Sequence, residues 1–375
     1  MRFALRRHRG DATIRSTSLP RGTAMASNAP ARTVAVDADG HISENSYAIW
    51  EYLEQPFKEY RSGFNGPGQL TPQDGWDRFL GKRLYRGSAG RTEDWLEALR
   101  QGPLDWTVVY PSLGLYYGHI QDPDYQLAFC RAYNTWLAKD ICAGSRGKVM
   151  GAGLLPIHHA QEGVTELRRM KQLGLVAAMY GADGSHLLGH PRFHGVYRVA
   201  GELGMPIAVH ASGSHLHGAG VDLFPKFIQA HTVSHPFGIL RQFTSMMLEG
   251  LFELFPTVRF GFLETGATWV PWWLDRMDEE FEHRGSVDAP ALKRPPSAYV
   301  RPGGSVFFGC EAGERLLPAV QAIVGGDTIM YASDYPHWDG EYPRSLHRLA
   351  ARADLTDEQR HGVLRGAAER FYLGK

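Results

Sequence analysis

Three ionisable residues occupy alternate positions in the segment VAVDADGHISEN (residues 34–45), namely Asp37, Asp39 and His41. Alternate side chains of a β-strand point to the same face, so these three would lie together while the residues between them face the other way. Burying three such groups on one face costs free energy unless something compensates, and a cation is the usual compensation. The spacing therefore predicts a metal site, with Asp37 deeper on the face as a structural hydrogen-bond acceptor.

Other candidate ligands follow apolar segments further along the chain. His210 ends PIAVH, Glu264 ends RFGFLE and Asp334 follows IMYAS. Imidazole and carboxylate groups suit Zn²⁺, Mn²⁺ or Fe²⁺, and the absence of thiolates from these positions argues against a structural cysteine site. Taken singly, each residue has an ordinary explanation, such as a hydrogen-bonded histidine or an aspartate that begins a turn. Taken together with Asp39 and His41, they predict a metal-dependent active site.

Eight short apolar segments alternate with helical ones. Apolar residues recur at helical spacing in AQEGVTELRRMKQLG, which ends at Gly174, and Thr356 precedes two acidic residues as a helix cap does. This alternation predicts a parallel (β/α)₈ TIM barrel, in which the reactive groups converge at the C-terminal ends of the strands. An open doubly wound sheet is the alternative, but no Gly-rich phosphate loop follows the first strand. The predicted strands are 32–38, 105–111, 147–156, 174–180, 206–211, 258–264, 304–309 and 328–333.

Two segments fall outside this alternation. Residues 1–31 are rich in Arg and Ser, poor in acids and without hydrophobic periodicity, which predicts a disordered extension, with an organelle transit peptide as the alternative. Residues 32–375 are predicted to form a single barrel domain. Residues 45–104 are too many for one crossover, so we expect an insertion after strand 1 that covers one end of the barrel.

The composition excludes several classes of partner. Lys+Arg (40) balance Asp+Glu (40), so nothing indicates nucleic acid or an anionic membrane, and no apolar stretch is long enough to span a bilayer. The three cysteines form no CxxC pair, which argues against a disulfide scaffold and favours a reducing compartment. We therefore predict a cytoplasmic protein that acts on a small molecule.

Histidine is abundant, with 17 residues, and two groups need interpretation. His235, in HTVSHPFG, is expected to open the helix after strand five, within reach of the barrel mouth, and is a catalytic candidate. His186, His190 and His194 have the spacing of ligands on a helix, but a glycine and a proline interrupt the segment. We interpret it as a loop and predict no second metal there.

Four motifs, VDADGH, MPIAVH, LFPTVRFGFLETGATWVPWW and YASDYPH, resemble the amidohydrolase-related (amidohydrolase 2) family, which includes aminocarboxymuconate semialdehyde decarboxylase and related aromatic acid decarboxylases. The resemblance runs from about residue 33 to residue 372. It implies a barrel of the metal-dependent hydrolase type, often a homodimer, with one divalent metal ion. Zinc is expected, with manganese or iron as alternatives. The implied ligands are Asp39, His41, His210 and Asp334.

The resemblance also implies a reaction, the non-oxidative decarboxylation of a hydroxyaromatic or related unsaturated carboxylic acid. Asp334 is then the proton carrier, assisted by Glu264 or His235. The decarboxylases usually have histidine where Glu264 stands, so hydrolysis of an amide, lactone or C–C bond by a metal-activated water remains the alternative. A binding protein that has lost catalysis is a third reading, which the intact set of ligands disfavours.

Overall fold

Eight parallel strands follow one another in chain order, each hydrogen-bonded to the next. They confirm the predicted (β/α)₈ barrel, and each predicted strand overlaps an observed one. The strands are β1 (Ala35–Ile42), β2 (Leu104–Pro111), β3 (Val149–Leu154), β4 (Ala177–Gly181), β5 (Ile207–His210), β6 (Phe260–Leu263), β7 (Val306–Cys310) and β8 (Ile329–Tyr331).

The structure is a computed structural model that describes residues 34–59, 89–212, 223–337 and 339–375. The predicted extension, residues 1–31, and much of the predicted insertion lie outside the described residues. The division of the chain into an extension and one barrel domain therefore stays a prediction.

Helices follow most of the strands, and their ends match local sequence signals. Gly174 adopts a φ of 82° directly after α4, a conformation that glycine adopts without a steric penalty. Thr356 and Gln359 exchange side-chain and main-chain hydrogen bonds at the start of α11. The α-helices of the described residues are α1 (Ser46–Trp50), α2 (Thr92–Gln101), α3 (Pro123–Trp136), α4 (Ala160–Leu173), α5 (His194–Leu203), α6 (Phe227–Leu248), α7 (Leu251–Leu254), α8 (Val270–Asp288), α9 (Leu317–Val324), α10 (Arg344–Ala350) and α11 (Asp357–His361).

One helix start differs from the prediction. Helix α6 begins at Phe227, so His235 lies inside the helix rather than at its opening. Pro236 follows it, and a proline is favoured in the first turn of a helix. Here the proline is tolerated within the helix. The loop interpretation of the other histidine group agrees with the structure, since His186 and His190 are non-helical and His194 begins α5.

Main-chain hydrogen bonds join the first strand to the segment that follows the last one. The N–H of Asp334 donates to the carbonyl of Asp39 at 2.9 Å, and the N–H of His41 donates to the carbonyl of Tyr335 at 2.8 Å. Strand β1 is buried along its whole length, so its ionisable side chains lie in the interior. Among the described residues, no helix is long and apolar enough to cross a membrane.

Asp37, in β1, accepts hydrogen bonds from β2 and from the segment after β8, as expected of a structural hydrogen-bond acceptor. Its carboxylate accepts hydrogen bonds from the Thr107 hydroxyl (2.9 Å) in β2 and from the Ser333 N–H (2.9 Å) and hydroxyl (2.7 Å) after β8. Burial raises its pKa to about 6, although these hydrogen bonds oppose the shift. Both carboxylate oxygens of Asp37 therefore accept hydrogen bonds from protein groups, whereas Asp39 Oδ2 and His41 Nε2 have no such partner among the described residues.

Candidate active site

Five of the residues singled out by the sequence converge at the C-terminal ends of the strands. Ligand-type atoms of Asp39, His41 and His210 lie within 4.8 Å of one another, and His41 also belongs to a second such group with Glu264 and Asp334. Asp39 Oδ1 lies 3.0 Å from His210 Nε2, and Asp334 Oδ1 lies 3.3 Å from His41 Nε2. The topology of the barrel brings these groups into one small volume from strands that are distant in sequence.

Main-chain carbonyls orient the two histidine rings. His41 Nδ1 lies 2.7 Å from the carbonyl oxygen of Pro111, and His210 Nδ1 lies 2.6 Å from that of Ala211. A carbonyl can only accept, so each Nδ1 carries hydrogen. The Nε2 atom of His41 faces Asp334, and that of His210 faces Asp39. Burial lowers the pKa of His41 well below its usual value, which keeps that ring neutral. Such carbonyl contacts are the usual means of orienting a ligating histidine.

Four buried atoms of the cluster form no hydrogen bond with the described residues. They are Asp39 Oδ2, His41 Nε2, Glu264 Oε2 and Asp334 Oδ1, and both Asp39 and His41 are 0 % exposed. Leaving a buried polar atom unpaired costs free energy, and a divalent cation would satisfy several of these atoms at once. One imidazole nitrogen with carboxylate oxygens is a suitable donor set for Zn²⁺, Mn²⁺ or Fe²⁺. The residues present therefore fit a metal ion.

Glu264 and Asp334 have an unusual backbone conformation. Their φ angles are 70° and 53°, in the left-handed region that residues other than glycine seldom adopt. Such a conformation costs on the order of 1–3 kcal/mol, and it persists where the surrounding structure enforces it, often at functional sites. Both carboxylates stand at the barrel mouth, where this backbone turns their side chains towards His41.

Glu264 lies between two further imidazole rings. Its Oε2 is 3.2 Å from His210 Nδ1, and its Oε1 is 3.5 Å from His337 Nδ1. Burial opposes ionisation, but the neighbouring imidazoles, His210 foremost, outweigh it and hold the pKa of Glu264 well below its usual value. The carboxylate is therefore ionised, and its lowered pKa makes it a weak base.

His235 reaches the site from α6 and contacts the main chain of Glu264. Its Nε2 donates to the main-chain carbonyl of Glu264 at 2.7 Å. This contact supports the turn in which Glu264 adopts its positive φ. His235 also lines the cavity described below, so its predicted catalytic role stays a prediction.

His337 is a member of the site that the sequence reasoning did not name. Its Nδ1 lies 2.7 Å from Asp334 Oδ1, and its ring stacks on that of His41 with centroids 3.8 Å apart. Burial alone would lower the pKa of His337, but the carboxylates of Asp334 and Glu264 raise it well above its usual value. The available signal was the motif YASDYPH, in which this histidine lies three residues after Asp334.

A cavity of about 170 Å³ opens onto the cluster. A cavity of about 150 Å³ is enough to bind benzene, so a single aromatic ring fits this space. Six of the eight ionisable residues in its wall are acidic, and Arg348 is a cation on the same wall. The ionisable residues that line it are Asp39, His235, Glu264, Glu311, Asp334, Asp339, Glu341 and Arg348.

Comparison with known proteins identifies the family. The model of the amidohydrolase family (Amidohydro_2) matches residues 36–373. The chain belongs to this family. The match covers all eight strands and every residue of the cluster, which agrees with the resemblance drawn from the four motifs. No curated protein sequence matches the chain.

Solved amidohydrolase-like structures share the fold at low sequence identity. An amidohydrolase from Mycobacterium avium subsp. paratuberculosis K-10 is 16 % identical, with a TM-score of 0.73 over 91 % of this chain and 100 % of that one. The 2,6-dihydroxybenzoate decarboxylase from Rhizobium is 16 % identical (TM-score 0.68; 90 % and 98 % covered). The 5-carboxyvanillate decarboxylase from Novosphingobium aromaticivorans DSM 12444, complexed with manganese and a hydroxy-methoxy-nitrobenzoic acid, is 17 % identical (TM-score 0.67; 91 % and 96 % covered). At these identities the likeness is one of fold.

Proposed function

We propose that the protein is a metal-dependent decarboxylase of a hydroxyaromatic or related unsaturated carboxylic acid. The observation that carries this proposal is the ring-sized cavity that opens directly onto Asp39, Glu264 and Asp334. Two of the structural neighbours described above are decarboxylases of single-ring hydroxyaromatic acids, which supports the same class of substrate.

The proposed metal ligands are Asp39, His41, His210 and Asp334. Zinc is the expected ion, with manganese or iron as alternatives, and the manganese complex of the 5-carboxyvanillate decarboxylase supports the second. The ion would act as a Lewis acid that binds the substrate carboxylate and an adjacent oxygen and stabilises the negative charge of the transition state. It would also offset the repulsion between an anionic substrate and the acidic wall of the cavity.

The chain itself must deliver a proton to carbon. In the proposed reaction Asp334 protonates the carbon that bears the carboxylate, the bond from that carbon to the carboxylate breaks, and its electron pair stays with the ring as CO₂ leaves. His337 Nδ1, 2.7 Å from Asp334 Oδ1, is placed to return a proton to Asp334. Glu264 orients His210 and His337 through its two carboxylate oxygens.

Hydrolysis remains the second candidate because of Glu264. Its carboxylate lies beside the cluster, 3.8 Å from His41 Nε2, where it could take a proton from a water that then attacks an amide, a lactone or an activated C–C bond. The same ligands would serve both reactions, so substrate tests must separate them.

The test begins with metal analysis of the purified protein, where near-stoichiometric zinc or manganese is expected. A metal-free protein that binds neither ion would contradict both reactions. Incubation with a panel of hydroxybenzoates and detection of CO₂ then tests decarboxylation. Cleavage of an amide, lactone or ring-fission product without CO₂ release from any acid would favour the hydrolase. The homodimer and the cytoplasmic location stay predictions, and sedimentation of the purified protein tests the first.

A further inference from the structure

The turn after β2 contacts both stacked imidazole rings of the site. The Pro111 carbonyl accepts the hydrogen bond from His41 Nδ1 at 2.7 Å. The next residue, Ser112, is 5 % exposed, and its hydroxyl lies 3.1 Å from His337 Nε2. Two consecutive residues therefore hold one ring each, on the nitrogen that faces away from Asp334.

A single carboxylate fixes this turn. Glu44 lies three residues after His41 in sequence, and it accepts hydrogen bonds from three consecutive main-chain N–H groups. The distances are 2.9 Å to Ser112, 3.0 Å to Leu113 and 2.7 Å to Gly114. Because three donors converge on one side chain, the turn has little freedom to move relative to β1.

Glycine at position 114 is a requirement of this arrangement. A Cβ atom there would lie 2.8 Å from Pro111 Cβ and 2.9 Å from Glu44 Oε1, closer than real Cβ contacts allow. Any side chain at this position would push the turn away from Glu44. The close approach of Glu44 to the turn therefore depends on both the carboxylate of Glu44 and the absence of a side chain at Gly114.

We propose that Glu44 and Ser112 are positioning residues that set the geometry of the metal site through His41 and His337. Glu44 holds the turn, Ser112 holds His337, and His337 in turn contacts Asp334, a proposed ligand, at 2.7 Å. The metal and its ligands rest on the proposed function, whereas the series of contacts from Glu44 through Ser112 and His337 to Asp334 does not. Neither Glu44 nor Ser112 would touch the substrate.

The test compares Ser112→Ala with Ser112→Thr, which retains the hydroxyl, by titrating Mn²⁺ into metal-free protein. Loss of an outer partner of a metal ligand typically costs about 10–100-fold in metal affinity or activity. Ser112 lies one contact further out than such a partner, so we expect Ser112→Ala to raise the Mn²⁺ dissociation constant about 10-fold, at the low end of this range. Ser112→Thr should restore it to within about threefold. Glu44→Gln, which keeps the shape but weakens the acceptor, should change the dissociation constant in the same direction as Ser112→Ala.

Ser145→Ala is the matched control. Ser145 is also a buried serine (2 % exposed), and its hydroxyl bonds the carbonyls of Cys142 and Val149 near the N-terminal end of the barrel. Its loss should lower the melting temperature and leave the Mn²⁺ dissociation constant unchanged. If the substrate panel yields a reaction, kcat should fall in Ser112→Ala while KM stays constant.

The outcomes separate this proposal from the proposed function. An unchanged Mn²⁺ dissociation constant in Ser112→Ala would overturn the positioning role, whichever reaction the enzyme catalyses. A weakened dissociation constant that Ser112→Thr does not restore, or one equally weakened in Ser145→Ala, would also overturn it, since the effect would then be general destabilisation. A weakened and restored constant would support the positioning role even if no acid in the panel loses CO₂.

Discussion

The imidazole rings of His41 and His337 stack with their centroids 3.8 Å apart and their planes inclined by 28°. His41 lies in β1 and His337 lies after β8, so the pair joins the first strand to the segment that follows the last one. Asp334 Oδ1 contacts both rings, at 3.3 Å from His41 Nε2 and 2.7 Å from His337 Nδ1. One carboxylate oxygen of Asp334 therefore lies beside both a proposed metal ligand, His41, and the proposed proton source, His337.

Replacement of that carboxylate by Asp334→Asn should abolish turnover. Asparagine is nearly the same size and also tolerates a positive φ, so the protein should fold. We expect kcat to fall by about 10²–10⁴-fold, the usual contribution of a general acid, and metal content to fall as well. Steady-state kinetics and metal analysis measure the two effects, with Asp105→Asn, near the N-terminal end of β2, as control. Near-normal activity in Asp334→Asn would refute the site assignment.

Glu264→Gln should separate catalysis from metal binding. Glu264 is not among the four proposed ligands, so metal stoichiometry should stay near that of the unmodified protein. The variant lacks the charge that contacts His210 and His337, and we expect kcat to fall by about 10²–10⁴-fold. Loss of metal together with activity would instead show that Glu264 contributes to metal binding, either as a ligand or through His210.

The alternation of β1 and the strand ends were sufficient to predict most of the cluster from sequence. The spacing of Asp37, Asp39 and His41 depends only on the geometry of a strand, and His210 ends β5. Parallel strands place their C-terminal ends at one end of the barrel. The position of Asp334 in the cluster could therefore be predicted without knowledge of tertiary contacts.

The remaining parts of the site depend on contacts that no local pattern encodes. His337 joins the cluster because the chain turns back after Asp334, and its partner Ser112 lies 225 residues away in sequence. Nothing in the local sequence distinguishes Glu44 from an acidic residue at the surface. Its role depends on its contact with the turn after β2, which lies about 70 residues further along the chain. The predicted start of α6 was wrong. A proline at position 236 is compatible both with the first turn of a helix and with the interior of this helix.

Thr107→Val should destabilise the barrel through Asp37. The substitution keeps the branched shape but removes a hydroxyl that donates to a buried carboxylate at 2.9 Å. Hydrogen bonds to charged groups contribute about 1.5–3 kcal/mol, against about 0.5–1.5 kcal/mol for neutral ones. The control is Thr328→Val, since the Thr328 hydroxyl donates to the neutral carbonyl of Gly325 at 2.8 Å. Urea unfolding at pH 8, above the pKa of about 6 for Asp37, should show the larger loss for Thr107→Val. Equal losses would mean that the charge of Asp37 does not matter.

His231 should make the folded state less stable at acidic pH. Burial lowers its pKa to about 4, with help from His235, whose ring centroid lies 4.6 Å away, and against the opposing charge of Glu264. The unfolded chain has the usual histidine pKa of about 6.5, so between pH 4 and pH 6.5 it binds more protons than the folded chain. Stability therefore rises with pH across this window and is lost as the pH falls through it.

His231→Gln removes this titration and should flatten the pH dependence. Between pH 6.5 and pH 4, the free energy of unfolding of the unmodified protein should fall by up to about 3 kcal/mol more than that of the variant. Urea unfolding at both pH values measures the difference, and His361→Gln, at an exposed histidine, is the control. Parallel losses in the unmodified protein and His231→Gln would show that His231 takes up a proton in the folded protein as readily as in the unfolded chain, and that its burial in α6 carries no electrostatic cost.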